Sequence, residues 1–264
     1  MKNSIFFKEV SLVKKIFFYL PFYLLHKNIF FGFFFLKIIK IFHYSFKNKK
    51  FSFYIPNNLD YSFYSSFLTK TYEINDLTLI KKNLRFDCKP IVVGGGLGFI
   101  PAIVSAIVKK KIPVFEIDTQ IIPFLEKNLK KNKINSKIYN CFFFFNKKPK
   151  INFFFESKNF ISTSIYNSKK DNNNFIKLNK FISYKKLCKM NKVVYNTLII
   201  DAEGYEYDLI NDISMNNSIK HIFFELHTSI IGKKRTDKLL GSLKINKFNL
   251  VDSFFNSYYY SRNK

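Results

Sequence analysis

The chain has 264 residues, 47% of them hydrophobic, and a net charge of +26. That is enough apolar material to bury a full core, which excludes a disordered chain, and the length suits one α/β domain with an added segment better than two equal domains. All but three of the 44 basic residues are lysine, the exceptions being Arg85, Arg235 and Arg262, so a specific nucleic-acid reader is not expected, because planar, bidentate recognition favours arginine.

Residues 1–55 read as an apolar and basic helical segment, and residues 56–264 as the main domain. Within the first segment, apolar runs at 16–25 and 29–36 are separated by His26, Lys27 and Asn28. Neither run reaches the about 20 residues needed to span a bilayer. Flanked by Lys14, Lys15, Lys37 and Lys40, residues 16–42 suit helices that pack on the domain or touch the inner face of a membrane peripherally. No small-x-small cleavage site follows the first run, so the chain is expected to stay in the cytoplasm. Cys88, Cys141 and Cys188 agree with that reducing compartment: they are odd in number, far apart, and spaced for neither a disulfide framework nor a metal site. Each reads as a small buried hydrophobe.

From Lys89 onward, apolar runs alternate with helical stretches, the pattern of a parallel sheet with crossover helices. Strands are expected near 90–94, 112–117, 137–143, 196–201 and 220–226, and helices near 98–110, 119–132, 205–213 and 235–243. Residues 144–195 are less regular, with phenylalanine runs that suit extra strands. Residues 248–255 and 257–260 suit an antiparallel pair at the sheet edge.

Ligands of an open parallel sheet bind outside the carboxyl ends of its strands, so the residues that end each apolar run carry the most information. The first run ends in Gly94, Gly95, Gly96 and Gly98, four of only eight glycines, followed by Phe99. Such a turn brings backbone N–H groups to a ligand at a helix N-terminus. The second run ends in Glu116 and Asp118; Glu116 lies near the spacing at which an acid accepts the ribose hydroxyls of an adenosine cofactor, and Asp118 suits a helix cap as well. The fourth ends in Asp201 and Glu203, with Glu206 in the following helical turn, where an acid also favours the helix dipole. The fifth ends in Glu225 and His227, two apart and so on one face of a strand, where a carboxylate orients an imidazole as a base. No metal is required, although Asp201 and Glu203 could hold Mg²⁺ through oxygen.

Together, residues 92–99, Phe115-Glu116-Ile117-Asp118, residues 128–132, Asp201-Ala202-Glu203-Gly204-Tyr205-Glu206 and Phe224-Glu225-Leu226-His227 resemble the FkbM family of S-adenosylmethionine-dependent methyltransferases. The resemblance covers about residues 88–232, with Ser162-Thr163-Ser164-Ile165 similar to a small-residue segment before the family's fourth strand. It implies a class I, Rossmann-like α/β fold: a mostly parallel seven-stranded sheet with helices on both faces and an antiparallel strand near one edge. It implies O-methylation of a sugar, glycan or secondary metabolite, with S-adenosylmethionine held by Gly94, Gly95, Gly96, Gly98, Phe99, Glu116 and Asp118. Asp201, Glu203 and His227 would be catalytic, with Glu206 and Glu225 facing the acceptor. The family's acid shortly before the first loop glycine is replaced here by Ile91, Val92 and Val93, so cofactor contact there must differ. Two other readings share these features: an NAD-dependent or nucleotide-sugar oxidoreductase, and a non-catalytic membrane-surface protein with a degenerate cofactor site.

Overall fold

The computed structural model describes residues 41–56, 59, 63, 66–67, 70–149, 153–155, 175–177, 180–213 and 216–262. Residues 1–40, and with them most of the apolar segment, lie outside these, as do Ser162, Thr163, Ser164 and Ile165. No helix among the described residues is long and apolar enough to cross a membrane.

A seven-stranded sheet forms the centre. Its strands are β3 (Pro90–Val93), β4 (Ile112–Phe115), β5 (Ser136–Tyr139), β10 (Thr197–Ile200), β11 (His221–Glu225), β12 (Asn249–Phe254) and β13 (Ser257–Ser261), in the order β12-β13-β11-β10-β3-β4-β5. β3, β4, β5, β10 and β11 are parallel, and β13 runs antiparallel to both β11 and β12. The C-terminal pair thus forms the edge expected from its sequence, and the α/β class is as expected.

β3, β4 and β10 are buried along their whole length because both sheet faces are covered, which is why they read as unbroken apolar runs. Alternate residues feed two separate cores. Val92, Val114, Ile199 and Phe223 enter one, with helices α1 (Ile74–Asn83), α2 (Phe99–Val108) and α3 (Ile122–Lys131). Ile91, Val93, Phe115, Leu198, Ile200, Ile222 and Phe224 enter the other, with α4 (Tyr184–Asn191), α5 (Glu206–Asp212) and α7 (Lys233–Ile245). A one-turn helix α6 (Thr228–Ile231) joins β11 to α7.

Three elements differ from expectation. Residues 41–54 are not helical but form an antiparallel hairpin, β1 (Ile41–Phe46) and β2 (Lys49–Tyr54), so part of the supposed N-terminal segment belongs to the main domain. Phe42, Phe51 and Phe53 fix it there by entering the first core, with Phe42 and Phe53 against the Phe99 ring. Two asparagines one helical turn apart on α3 and just past its end complete the docking. The Ser52 N–H donates to Asn132 Oδ1 at 2.8 Å and the Tyr54 N–H to Asn128 Oδ1 at 2.6 Å, while their amide groups return bonds to the Ser52 and Tyr54 carbonyls. Side-chain amides thereby satisfy the strand edge that β1 leaves open.

The strand expected over 137–143 is interrupted at Asn140, whose side chain donates to the Glu116 and Ile117 carbonyls. The chain leaves the main sheet there, and β6 (Phe142–Phe144) pairs instead with β9 (Phe181–Ser183). β7 (Phe153–Phe155) and β8 (Phe175–Lys177) form a second small antiparallel pair, so the phenylalanine runs are extra strands. Helix α1, whose buried face includes Asp76, Leu77, Leu79 and Ile80, was not apparent in the sequence.

Candidate active site

The backbone ladder continues one residue past each central strand, which brings the polar strand ends level. The Gly94 N–H donates to the Phe115 carbonyl, Asp201 N–H to Val93, and Glu116 N–H to Tyr139, at 2.9–3.1 Å. A cavity of about 390 Å³ opens above this row, closed on its other side by Tyr72, Glu73 and Asp76 at the start of α1.

Glycine is required in the loop mainly for packing. A Cβ on Gly94, at φ 88°, would lie 1.6 Å from the Asp201 carbonyl oxygen; one on Gly95 would meet Leu125 and Val114 below 3 Å; one on Gly98 would press on Leu125 and Leu129 at 3.2 Å. Only at Gly96 would it point toward cavity groups, Glu73 and Tyr72, with room at 3.6 and 3.8 Å. Gly94 and Gly96 line the cavity, whereas Gly95, Gly98 and Phe99 do not. Phe99, expected beside the cofactor, is buried at the centre of an aromatic cluster with Phe42, Tyr44, Phe53 and Tyr72.

Glu116 is placed at the cavity as expected but with other partners. One oxygen accepts the Gly95 and Gly96 N–H groups at 3.0 Å, and the other accepts those of Ile117 and Asp118 at 2.8 and 2.9 Å. The loop amides expected to face a ligand, those of Gly95 and Gly96, are thus held by this carboxylate. Burial raises the Glu116 pKa and the backbone donors oppose that rise. Asp118 also lines the cavity; its Oδ1 accepts the Gln120 N–H at 2.8 Å in a turn ahead of α3, so it is not the cap of a helix at Thr119.

At the ends of β10 and β11, Asp201, Glu203, Glu225 and His227 come together. His227 Nε2 lies 3.8 Å from Asp201 Oδ1, 3.5 Å from Glu203 Oε2 and 4.0 Å from Glu225 Oε1. Glu203 and Gly204 have consecutive positive φ angles of 44° and 106°, which turn the chain sharply off β10. Glu206 is fully buried, does not line the cavity, and so is not placed to touch an acceptor. It acts on its neighbours: one oxygen accepts the Gly204 N–H at 2.7 Å, and the other lies 3.0 Å from the His227 backbone nitrogen and 3.3 Å from its Nδ1. Asn256, from the turn between β12 and β13, donates to Glu225.

Glu73 and Asp76 are not apparent from the sequence, because α1, which begins just after Glu73 and carries Asp76, is remote from the strand-end motifs. Both are pushed up to about 8, first by burial and then by neighbouring acids. Burial likewise raises Asp201 and Glu203, with Glu225 adding to the rise in both. Burial disfavours the charged imidazole of His227, but the hydrogen bond to Glu206 and the charges of Glu203, Glu206 and Asp201 outweigh it and raise it to about 10. A cation entering the cavity would oppose these rises by favouring the charged carboxylates. Cys141, at the cavity wall, has its thiol pushed up to about 12 by burial, which makes it an inert filler.

No protein-family model matches the chain, and no curated protein matches it. Among solved structures it is similar to a precorrin-6y C5,15-methyltransferase from Geobacter metallireducens GS-15, with 14% identity and a TM-score of 0.42 over 71% of this chain and 84% of that one. It is also similar to a ribosomal protein L11 methylase from Lactobacillus delbrueckii subsp. bulgaricus, at 13% identity and a TM-score of 0.41 over 71% and 77% of the two chains. A tRNA (uracil-54, C5)-methyltransferase from Pyrococcus abyssi, solved in complex with S-adenosyl-L-homocysteine, matches at 11% identity and a TM-score of 0.43 over 84% of this chain and 44% of that one. The sheet order and its single antiparallel strand make the fold Rossmann-like, of the methyltransferase kind that the sequence led us to expect.

Proposed function

We propose that this chain is an S-adenosylmethionine-dependent methyltransferase that modifies a hydroxyl oxygen, in the manner of the FkbM family. The observation that carries the reading is an inversion of charge. In a chain of net charge +26, the described cavity lining contains seven carboxylates, those of Glu73, Asp76, Glu116, Asp118, Asp201, Glu203 and Glu225, and no lysine or arginine. A buried acidic cavity favours a cationic ligand and opposes an anionic one. S-adenosylmethionine carries a sulfonium, an ammonium and one carboxylate and so is net cationic, whereas the anionic pyrophosphate of NAD or of a nucleotide sugar would meet those carboxylates. It would also find the Gly95 and Gly96 N–H groups already donated to Glu116. Both observations weigh against the oxidoreductase reading.

Gly94, Gly96, Glu116 and Asp118 line the part of the cavity that would hold the cofactor. Because Glu116 already accepts four N–H groups, Asp118 stands beside it as a second carboxylate for the ribose hydroxyls. When bound, S-adenosylmethionine supplies an electrophilic methyl group. The chain's own contribution is orientation and a place for the proton: an acceptor hydroxyl held among Asp201, Glu203 and His227 would lose its proton to that cluster as its oxygen attacks. Glu225 lines the cavity and would face the acceptor, and Glu206 holds the His227 ring in register. A sugar, glycan or secondary metabolite remains the acceptor class we favour. Of the segment proposed for membrane contact, residues 41 and 42 alone are described, and Phe42 is buried against Phe99.

Calorimetric titration with S-adenosylhomocysteine and, separately, NADH tests the proposal. Saturable binding of the first alone is expected. Binding of NADH alone would overturn it.

A further inference from the structure

We propose that Asp201, Glu225 and His227, backed by Asp76, form a site for a divalent cation of the Mn²⁺ class. One ligand atom from each of the first three lies within 4.8 Å of the others. Bonds of about 2.1–2.5 Å to a six-coordinate hard cation set ligand spacings of roughly 3 Å between adjacent and roughly 5 Å between opposite positions. The observed separations from His227 Nε2, 3.8 Å to Asp201 Oδ1 and 4.0 Å to Glu225 Oε1, are wider than adjacent positions, so these side chains would close in by roughly 0.5–1 Å around an ion.

Two further observations point to a cation. Asp76, only 6% exposed, lines the same cavity, and its Oδ2 has no hydrogen-bond partner. A buried carboxyl oxygen left without a partner is costly, and a cation among these acids would satisfy it. The second is the contact of the buried Glu206 with His227 Nδ1, which directs Nε2 toward the acids. A carboxylate behind an imidazole, fixing its tautomer and ring orientation, is the usual arrangement behind a metal-binding histidine. With two carboxylates and one imidazole, the set matches Mn²⁺ better than a thiolate-seeking ion. A cation here would draw an acceptor oxygen to it, and Glu203, 3.5 Å from Nε2, stands next to the site to take a proton. The metal assignment does not depend on the cofactor, and metal binding can be measured with no cofactor present.

The full chain, stripped with chelator, would be titrated with MnCl₂ and the free ion followed by electron paramagnetic resonance. One ion per chain is expected, with ¹⁴N coupling from an imidazole in the spin-echo spectrum of the bound ion. Asp201→Asn and Glu225→Gln are each expected to weaken binding at least about tenfold, and Glu206→Gln about 10- to 100-fold. Asp237→Asn, at an exposed position on α7, leaves it unchanged. Absence of a stoichiometric site in the parent protein overturns the proposal, and so does a bound ion without nitrogen coupling. The latter two readouts need no variant to fold.

Discussion

Glu206 and His227, 21 residues apart, meet where neither is freely exposed: the Glu206 carboxylate is fully buried, and its Oε1 lies 3.3 Å from His227 Nδ1. The glutamate belongs to the first turn of a helix after β10, the histidine to the end of β11. Their contact ties together the two strand ends that carry the acids.

If that contact sustains the charged imidazole, Glu206→Gln should move the His227 titration midpoint from about 10 back toward its ordinary value near 6.5. The isosteric amide keeps a hydrogen bond but removes the charge. Nitrogen-15 NMR of the imidazole reads the midpoint directly, and an unchanged value would mean that Glu203 and Asp201 alone hold the proton.

Glycine substitutions should separate packing from binding. Gly94→Ala places a methyl group on the Asp201 carbonyl oxygen in a backbone conformation that disfavours side chains, at a cost of about 2–5 kcal/mol in stability. Gly96→Ala has room and should cost only about 1–2 kcal/mol, yet it projects into the cavity and should weaken S-adenosylhomocysteine binding. Denaturant unfolding and calorimetry on both variants check the contrast; equal losses of stability would contradict it.

Glu116→Ala should weaken cofactor binding and also lower the melting temperature, because four backbone donors lose their acceptor. A variant that binds S-adenosylhomocysteine as tightly as the parent would remove this residue from the site.

Stability should fall with rising pH through Glu73. Its pKa is raised from 4.5 to about 8 by burial, so between those values the folded chain keeps a proton that the unfolded chain has lost. The stabilisation is complete below about pH 4.5 and lost as pH rises through about 8. Glu73→Gln should make the melting temperature fall less steeply between about pH 5 and 9, the raised Asp76 keeping part of the slope. Parallel curves for variant and parent would show that the slope arises elsewhere.

The strand-end acids could be read from the sequence because a parallel sheet delivers the residue after each apolar run to one rim, so Glu116, Asp201, Glu225 and His227 follow from local pattern and topology. Asp76 and Glu73 could not be found that way, since they reach the same rim from the first turn of α1 and the residue before it, which give no local sign of what they cover. The hairpin at 41–54 was misread because its phenylalanines suit a helix or a strand equally until Asn128 and Asn132 give β2 an edge to dock on.

By itself, then, the sequence determined the α/β alternation, the sharp turn at Gly94 and the antiparallel C-terminal edge, all of which depend on residues close in the chain. Tertiary structure alone decided what each polar group faces: that the loop amides are held by Glu116, that Glu206 serves His227 rather than a ligand, and that seven acids share one cavity. Those outcomes depend on which distant segments are packed together out of water, because burial and close approach of like charges set both hydrogen-bond partners and protonation.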